Sequence, residues 1–368
     1  MSYMLDEIRQ QPDVIGRLVH SERRNAAEIA SEIERRDICL VIMVARGTSD
    51  HAAIYGKYLL EIHNHRAVAL ADPSVFTLYD AELNLCRALV IGISQSGEAT
   101  DVAEYLERSK RSGALTLAIS NEPGSTITRI ADHTLLCHSG KEHGVAATKT
   151  YVSTLAALYL LSASLAHESR VDNLLACADS IRSALEIEVH VAARAERYRY
   201  MEAGVVLGRG LNYCTALETA LKLEETSYVG MQAYSAADFL HGPIAAVHEG
   251  DPCFIIAPPG KTLATMADIA ARLREITVGN PRNTDVRMGA LVSRAQLATV
   301  REGLAQLQAQ TQTLHDGANQ PLIDADPAIA CCIGPTLLGT RDPDGNALVH
   351  QVEVFGPVAT LMPYRERQ

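Results

Sequence analysis

The stretch that most constrains the fold runs from Leu89 to Arg111, where an apolar segment, a polar loop and a helical pattern follow one another. The apolar residues Leu89–Ile93 include β-branched side chains, which is typical of a buried parallel strand. The loop Ser94–Gly97 then leads into a helical pattern over Val102–Arg111. Because the first N–H groups of a helix lack partners and carry partial positive charge, this arrangement can bind a phosphate.

The side chains of this loop add donors to the backbone amides. Ser94, Ser96 and Thr100 supply hydroxyl groups, and the loop contains no lysine. The Gly-Lys-Ser/Thr ending of a Walker loop is therefore missing. Taken alone, the loop is equally compatible with an ordinary strand-to-helix turn that is capped by a serine.

Composition narrows the class of protein. A chain of 368 residues is long enough for two or three domains, and no apolar run reaches the length of a membrane span. The first residues show no basic segment followed by an apolar core, so we expect no secretory signal. Eight cysteines lack metal-ligand spacing. We therefore expect a cytoplasmic protein with reduced thiols and no metal. The net charge of −11 argues against nucleic acid and anionic membranes as partners.

The unit of strand, polar turn and helix recurs along the first half of the chain. We expect five short buried strands, near residues 38–45, 68–70, 89–93, 115–120 and 133–137. Strands that alternate with helices predict an α/β fold with a doubly wound parallel sheet. Ligands bind outside the carboxyl ends of such strands, where the polar turns 46–50 and 94–97 both lie.

A second pass of the same pattern begins at Gly204 and predicts a second, similar domain. We expect a helical lead-in over residues 1–36, a first domain over 37–166, a helical connector over 167–199 and a second domain over 200–275.

The predicted helix Thr215–Tyr228 carries the candidate acid–base groups. Glu218, Lys222 and Glu225 fall at positions i, i+4 and i+7 and therefore share one face. Such ladders more often mark a solvated helix surface. Downstream, a Gly-Pro turn follows His241, and a carboxylate together with a histidine suits proton transfer on a sugar.

These segments resemble the sugar isomerase (SIS) family, most nearly the isomerase half of glutamine–fructose-6-phosphate aminotransferase and the two-domain glucosamine-6-phosphate deaminases. The resemblance covers residues 1 to about 275 and implies two doubly wound SIS domains, the second truncated. The motifs that carry it keep the family order: Arg46-Gly47-Thr48-Ser49-Asp50-His51, Ser94-Gln95-Ser96-Gly97-Glu98, Val145-Ala146-Ala147-Thr148-Lys149, Ala216 to Glu225, and His241-Gly242-Pro243.

The resemblance implies roles for individual residues. Glu225 would move a proton between C1 and C2 with Lys222 close by, and His241 from the partner of a homodimer would open the sugar ring. The family usually has a threonine directly after Ser-Gln-Ser-Gly-Glu, whereas this chain has Ala99 there and then Thr100. Either Thr100 takes over that role, or one phosphate donor is lost. No metal or organic cofactor is implied. The other residues with an implied role are the phosphate-binding Thr48, Ser49, Ser94, Gln95 and Ser96, and the substrate-pocket residues Glu218, Ala146 and Ala147.

Two departures restrict the activity that the resemblance implies. The aminotransferase needs a glutaminase domain with an N-terminal cysteine, whereas this chain has Ser2 there. The family's tail lysine is also missing, since Lys261 is the last lysine. We therefore expect ketose/aldose isomerisation of a hexose phosphate or deamination of an amino-hexose phosphate. The substrate would be fructose 6-phosphate or glucosamine 6-phosphate. The alternative is an inactive module that still binds phosphosugars.

Residues 276–368 resemble an internal fragment of an aldehyde dehydrogenase, which implies a place for Glu353 and Phe355 near a nicotinamide ribose. The dinucleotide-binding unit and the catalytic cysteine motif of that family are missing, and neither Cys331 nor Cys332 matches. Dehydrogenase activity is therefore disfavoured, and the chain reads as a fusion. The segments that carry this resemblance are Ile276–Pro281, Arg287–Ser293, Pro335–Leu338 and Glu353–Val358.

Overall fold

The computed structural model divides the chain into two compact units, Met1–Tyr234 and Ser235–Gln368. No helix in the described part of the chain is both long and apolar enough to cross a membrane. The structure describes residues 2–166, 171–243, 252–263, 277–280, 282–286, 288–291, 293–340, 348–352, 354 and 356–361.

The first unit alternates helices and strands in the predicted order. Its helices are α1 Tyr3–Arg9, α2 Gln11–Arg35, α3 Thr48–Asn64, α4 Ser74–Thr77, α5 Thr100–Arg111, α6 Thr126–Ile130, α7 Lys149–Leu165, α8 Val171–Leu185, α9 Glu188–Ala195 and α10 Tyr213–Ser227. Its strands are β1 Leu40–Val44, β2 Ala67–Leu70, β3 Ala88–Ile93, β4 Leu115–Ser120, β5 His133–Leu136, β6 Ala203–Gly208 and β7 Gly230–Ser235.

Five of these strands form one parallel sheet in the order β2-β1-β3-β4-β5. Met43 of β1 lies opposite Ile91 of β3, which in turn lies opposite Leu117 of β4. The chain passes from β1 to β2 on one side of β1 and then returns to β3 on the other side. Because β1 and β3 are parallel neighbours, they end at the same edge of the sheet. The predicted parallel α/β fold is confirmed, and the two polar turns emerge side by side.

Strands β1, β3 and β4 are buried on both faces of the sheet, to which successive residues of a strand point in turn. The edge strand β2 departs from the prediction of five buried strands, because three of its four residues are exposed. Met43 and Ile91 pack in a cluster with residues of α2, α3, α7 and α8. Val44 and Val90 pack in a second cluster with residues of α4, α5 and α6. Helices therefore cover the sheet on both sides, as a doubly wound fold requires.

The second pass is shorter in the described residues of the first unit. Strand β6 lies beside β7, and α10 follows β6 after a 3₁₀ turn over Gly210–Asn212. Val206 and Leu207 of β6 are fully buried. Helix α10 packs against both β6 and α3, so it brings its polar face to the N-terminal turn of α3.

In its described residues, the second unit contains short strands and one longer helix. The elements are α11 Ala236–Phe239, β8 Cys253–Ile255, β9 Val278–Gly279, α12 Arg294–Gln308, β10 Gln312–His315, β11 Leu322–Ile323, β12 Thr336–Gly339, α13 Leu348–Gln351 and β13 Val358–Leu361. Strand β12 pairs antiparallel with β10 and parallel with β13, while β9 pairs with β11.

Candidate functional site

The loop after β3 is held in shape by its own residues. The buried Ser94 hydroxyl oxygen accepts a hydrogen bond from the Gly97 amide at 3.1 Å, and the Ser96 hydroxyl oxygen accepts one from the Glu98 amide at 3.3 Å. Gly97 has φ +68°, a left-handed conformation that favours glycine. Thr100 is the first residue of α5 and is exposed. The loop thus has a fixed backbone at the start of a helix, as an anion site requires.

The neighbouring turn after β1 leads directly into α3. Gly47 precedes the helix with φ +54°, and Thr48 and Ser49 form its first turn. Thr48, Ser49 and Gln95 lie together on the wall of a small cavity of about 30 Å³. Four residues from the segment 147–154 complete its lining, namely Ala147, Thr150, Tyr151 and Thr154. The structure therefore brings together side chains from both polar turns and from the start of α7.

Glu142 connects the β3 loop with the start of α7. One of its carboxylate oxygens accepts hydrogen bonds from the amides of Thr148 at 2.7 Å and Lys149 at 3.0 Å. Amides at the start of a helix have no acceptor within the helix, so Glu142 supplies one. The other oxygen accepts the amide Nε2–H of Gln95 at 3.3 Å. Glu142 was not among the predicted site residues, because it precedes the helix by several residues and matches no capping pattern.

The predicted acid–base residues of α10 do share one face, but they are not a solvated ladder. The ammonium of Lys222 lies 2.6 Å from Glu225 and 3.3 Å from Glu218. The exposed fraction of the side chain rises from 8% for Glu218 to 16% for Lys222 and 33% for Glu225. We call these three residues the α10 row. Glu218, its most buried member, lies against α3, and Glu225 is its most exposed member.

Glu218 receives two hydrogen bonds from α3. The Thr48 hydroxyl donates to one carboxylate oxygen at 3.0 Å, and Nδ1 of His51 lies 2.7 Å from the other. The Thr48 oxygen in turn accepts a hydrogen bond from Lys222 at 3.2 Å. His51 was not among the predicted site residues, although Thr48 and His51 are three residues apart on one helix face and could have been paired by that spacing.

Burial shifts the pKa of two further groups beside this network. The pKa of the Tyr151 phenol on α7 is raised by burial, away from neutral pH. The pKa of the Asp50 carboxyl is also raised by burial, against the opposing effect of the positive charges of His51 and Arg46. Among the described residues, no group of three or more histidine, cysteine, aspartate or glutamate side chains is arranged to hold a metal ion.

The remaining predicted residues lie apart from this network. Ala146 is buried, and its neighbour in sequence, Ala147, lines the cavity. His241 belongs to the second unit, where its side chain is exposed and its amide donates to the Asp238 carbonyl at 3.0 Å. Glu353 and Phe355, which the dehydrogenase resemblance had pointed to, lie outside the described residues.

The two-pass α/β fold and these motifs agree with comparisons to known proteins. The chain belongs to the SIS domain family, whose model matches residues 39–164 and 204–278. The model of the aldehyde dehydrogenase family matches residues 261–368, so the predicted resemblance of both parts is confirmed. The two matches overlap between residues 261 and 278, close to the predicted junction.

Individual relatives make the likeness more specific. Glutamine–fructose-6-phosphate aminotransferase from Thermococcus kodakarensis is 37% identical over 274 residues, which cover 72% of this chain and 45% of that protein. The chain thus spans about half the length of the curated relatives that it matches. The C-terminal domain of the Francisella tularensis glucosamine–fructose-6-phosphate aminotransferase is 28% identical with a TM-score of 0.66, covering 74% of this chain and 81% of that one. Glucosamine-6-phosphate deaminase from Thermotoga maritima shares the fold at 22% identity and a TM-score of 0.62, covering 80% and 86%.

Proposed function

We propose that the chain is a sugar-phosphate isomerase or deaminase of the SIS type, acting on fructose 6-phosphate or glucosamine 6-phosphate as a cytoplasmic homodimer. The observation that carries this proposal is the convergence of the Thr48–Ser49 turn and Gln95 on one cavity, with Lys222 bonded to Thr48. The Thr48 hydroxyl therefore connects the proposed phosphate-binding turn with the proposed acid–base residues Lys222 and Glu225.

The phosphate binds at the two helix N-terminal turns. The donors are backbone amides and the hydroxyls of Ser49, Ser94, Ser96 and Thr100. These local donors can hold a phosphate dianion even though the chain has a net charge of −11. Thr48 donates to Glu218 and accepts from Lys222, so its hydroxyl links the phosphate end to the reacting end. The cavity is about the size of one water molecule.

The proton transfer uses the open end of the α10 row. The Glu225 carboxylate takes the proton from one of the carbons C1 and C2 and returns it to the other, so no proton is gained or lost overall. Lys222, 2.6 Å from Glu225, stabilises the negative charge that develops on the sugar oxygens between the two steps. His241 of the partner subunit opens the ring.

The test is turnover by the purified chain. It should interconvert hexose 6-phosphates or release ammonia from glucosamine 6-phosphate, and Glu225→Gln should abolish both reactions by removing the base. Glu224→Gln is the matched control, because it removes an exposed carboxylate from the adjacent position of the same helix. Activity that survives Glu225→Gln, or a wild type that turns over no hexose phosphate, contradicts the proposal.

A binding module without catalysis is the second candidate. The lack of any lysine between Lys261 and Gln368, where the family resemblance implies one, favours it. It predicts that fructose 6-phosphate raises the melting temperature of the chain while no product forms. Turnover excludes it, and a sample that neither binds nor converts the sugar excludes both candidates.

A further inference from the structure

We propose that His51 is a positioning residue that keeps Lys222 on Glu225 by holding the competing carboxylate of Glu218. The inference deepens the proposed function and rests on it. His51 has no assigned role in the mechanism above, yet it lies against the most buried carboxylate of the α10 row.

The contact has a defined direction. Glu218 has a side chain only 8% exposed, and its carboxylate can only accept hydrogen bonds when it is ionised. Nδ1 of His51, 2.7 Å away, must therefore carry the hydrogen and donate it. Thr48 donates to the other oxygen of Glu218 at 3.0 Å. Both oxygens are thus satisfied from α3.

This arrangement decides between two partners for one cation. The Lys222 ammonium lies 2.6 Å from Glu225 and 3.3 Å from Glu218. A buried carboxylate that loses a donor attracts the nearest cation strongly, because an unpaired charge is costly in a low-dielectric site. Without the donor from His51, Glu218 would draw Lys222 inward and leave Glu225 without its counter-ion.

The other described groups around Glu218 do not donate to it. Arg46, two residues after β1, is paired with Asp101 at 2.6 Å. The buried phenol of Tyr151, on α7, does not donate to Glu218. Asp50, next to His51, carries the same sign of charge as Glu218 when ionised. Thr48 and His51 are therefore the donors that hold Glu218 from α3, and His51 holds the oxygen that Thr48 does not reach.

The experiment compares three substitutions of His51. Asparagine places an N–H donor near the position of Nδ1, glutamine places one near Nε2 instead, and leucine removes the donor. We expect His51→Leu and His51→Gln to lower kcat on the order of 100-fold with little change in KM, because a displaced catalytic group costs about that much. His51→Asn should recover most of the loss. His20→Leu, which removes an exposed imidazole from α2, is the control.

The outcomes separate the inference from the proposed function. If the wild type is active and His51→Leu retains its kcat, the inference alone is wrong. A loss that asparagine and glutamine share equally also overturns it, since the effect would then not depend on the position of the donor. If His51→Leu fails to fold, the asparagine and glutamine pair decides. A wild type without turnover refutes the proposed function, and the inference falls with it.

Discussion

Gly97 provides the sharpest test of the structure of the loop after β3, because two separate energetic costs apply at one residue. Its backbone has φ +68°, and a Cβ added there would lie 1.9 Å from the Ser125 hydroxyl oxygen and 2.4 Å from the Ser125 Cβ. Ser125 is itself only 5% exposed, so its side chain has little space into which to move. Gly97→Ala therefore requires both a strained backbone and a displaced neighbour.

The size of the effect follows from these two terms. A left-handed conformation costs a residue with a Cβ about 1–2 kcal/mol. Forcing an extra methyl group into a packed site adds about 1–3 kcal/mol. We therefore expect Gly97→Ala to lower the free energy of unfolding by about 2–5 kcal/mol.

A nearby glycine separates the two terms. Gly124 has φ +73°, and no atom lies within 4 Å of the position of its added Cβ. Gly124→Ala should therefore cost only the backbone part, about 1–2 kcal/mol. The free energy of opening can be read from hydrogen exchange of the β3 amides, which belong to the core of the first unit.

The comparison can refute the reasoning. If Gly97→Ala and Gly124→Ala destabilise the first unit equally, the close approach of Ser125 to the loop is not a feature of the folded protein. A second check is Ser125→Gly in the Gly97→Ala background. It removes both atoms nearest to the new methyl group and should recover the steric part while leaving the backbone part.

Two further predictions concern charged groups beside the cavity. Burial raises the pKa of Asp50, so its ionised form destabilises the fold at neutral pH. Asp50→Asn should raise the melting temperature at pH 7, and the gain should vanish below about pH 3.9, where the carboxyl is protonated in both the folded and the unfolded chain; an equal gain at both pH values would contradict this. Glu142→Ala removes the acceptor at the start of α7 and should cost about 0.5–2 kcal/mol of stability, the usual range for a lost helix cap. Thermal unfolding against Glu107→Ala, an exposed carboxylate of α5, measures it, and equal effects would refute the capping role.

The sheet could be predicted because its signal is local. Leu89–Ile93 and Leu115–Ser120 are apolar runs that end in small polar residues, and each run is a strand that is buried on both faces. The strand order, which places β1 beside β3, was not predicted, because local patterns do not show which strands are neighbours. Helix boundaries were less accurate: α5 begins at Thr100, two residues before the predicted start. The domain boundaries at residues 36, 166, 199 and 275 stay predictions.

The site was only partly predictable because its partners are distant in sequence. The spacing of Glu218, Lys222 and Glu225 placed them on one face, but a spacing cannot tell a solvated face from a buried one. What decides it is the packing of α10 on α3, which brings His51 to a residue 167 positions away. Glu142 was missed for the opposite reason, since its contacts are near in sequence but follow no recurrent capping pattern.

The dehydrogenase-like part of the second unit has a small hydrophobic core of its own. Helix α12 begins with Ser293 as a cap, whose hydroxyl oxygen accepts a hydrogen bond from the Gln296 amide at 3.1 Å. Its apolar face, Leu297, Val300, Leu304 and Leu307, packs with Leu338 of β12 in a small buried cluster. The helix and the strands beside it are close in sequence, so these contacts are local. The proposed chemistry is assigned to the SIS motifs, because Lys222 and Glu225 lie on α10 in the first unit.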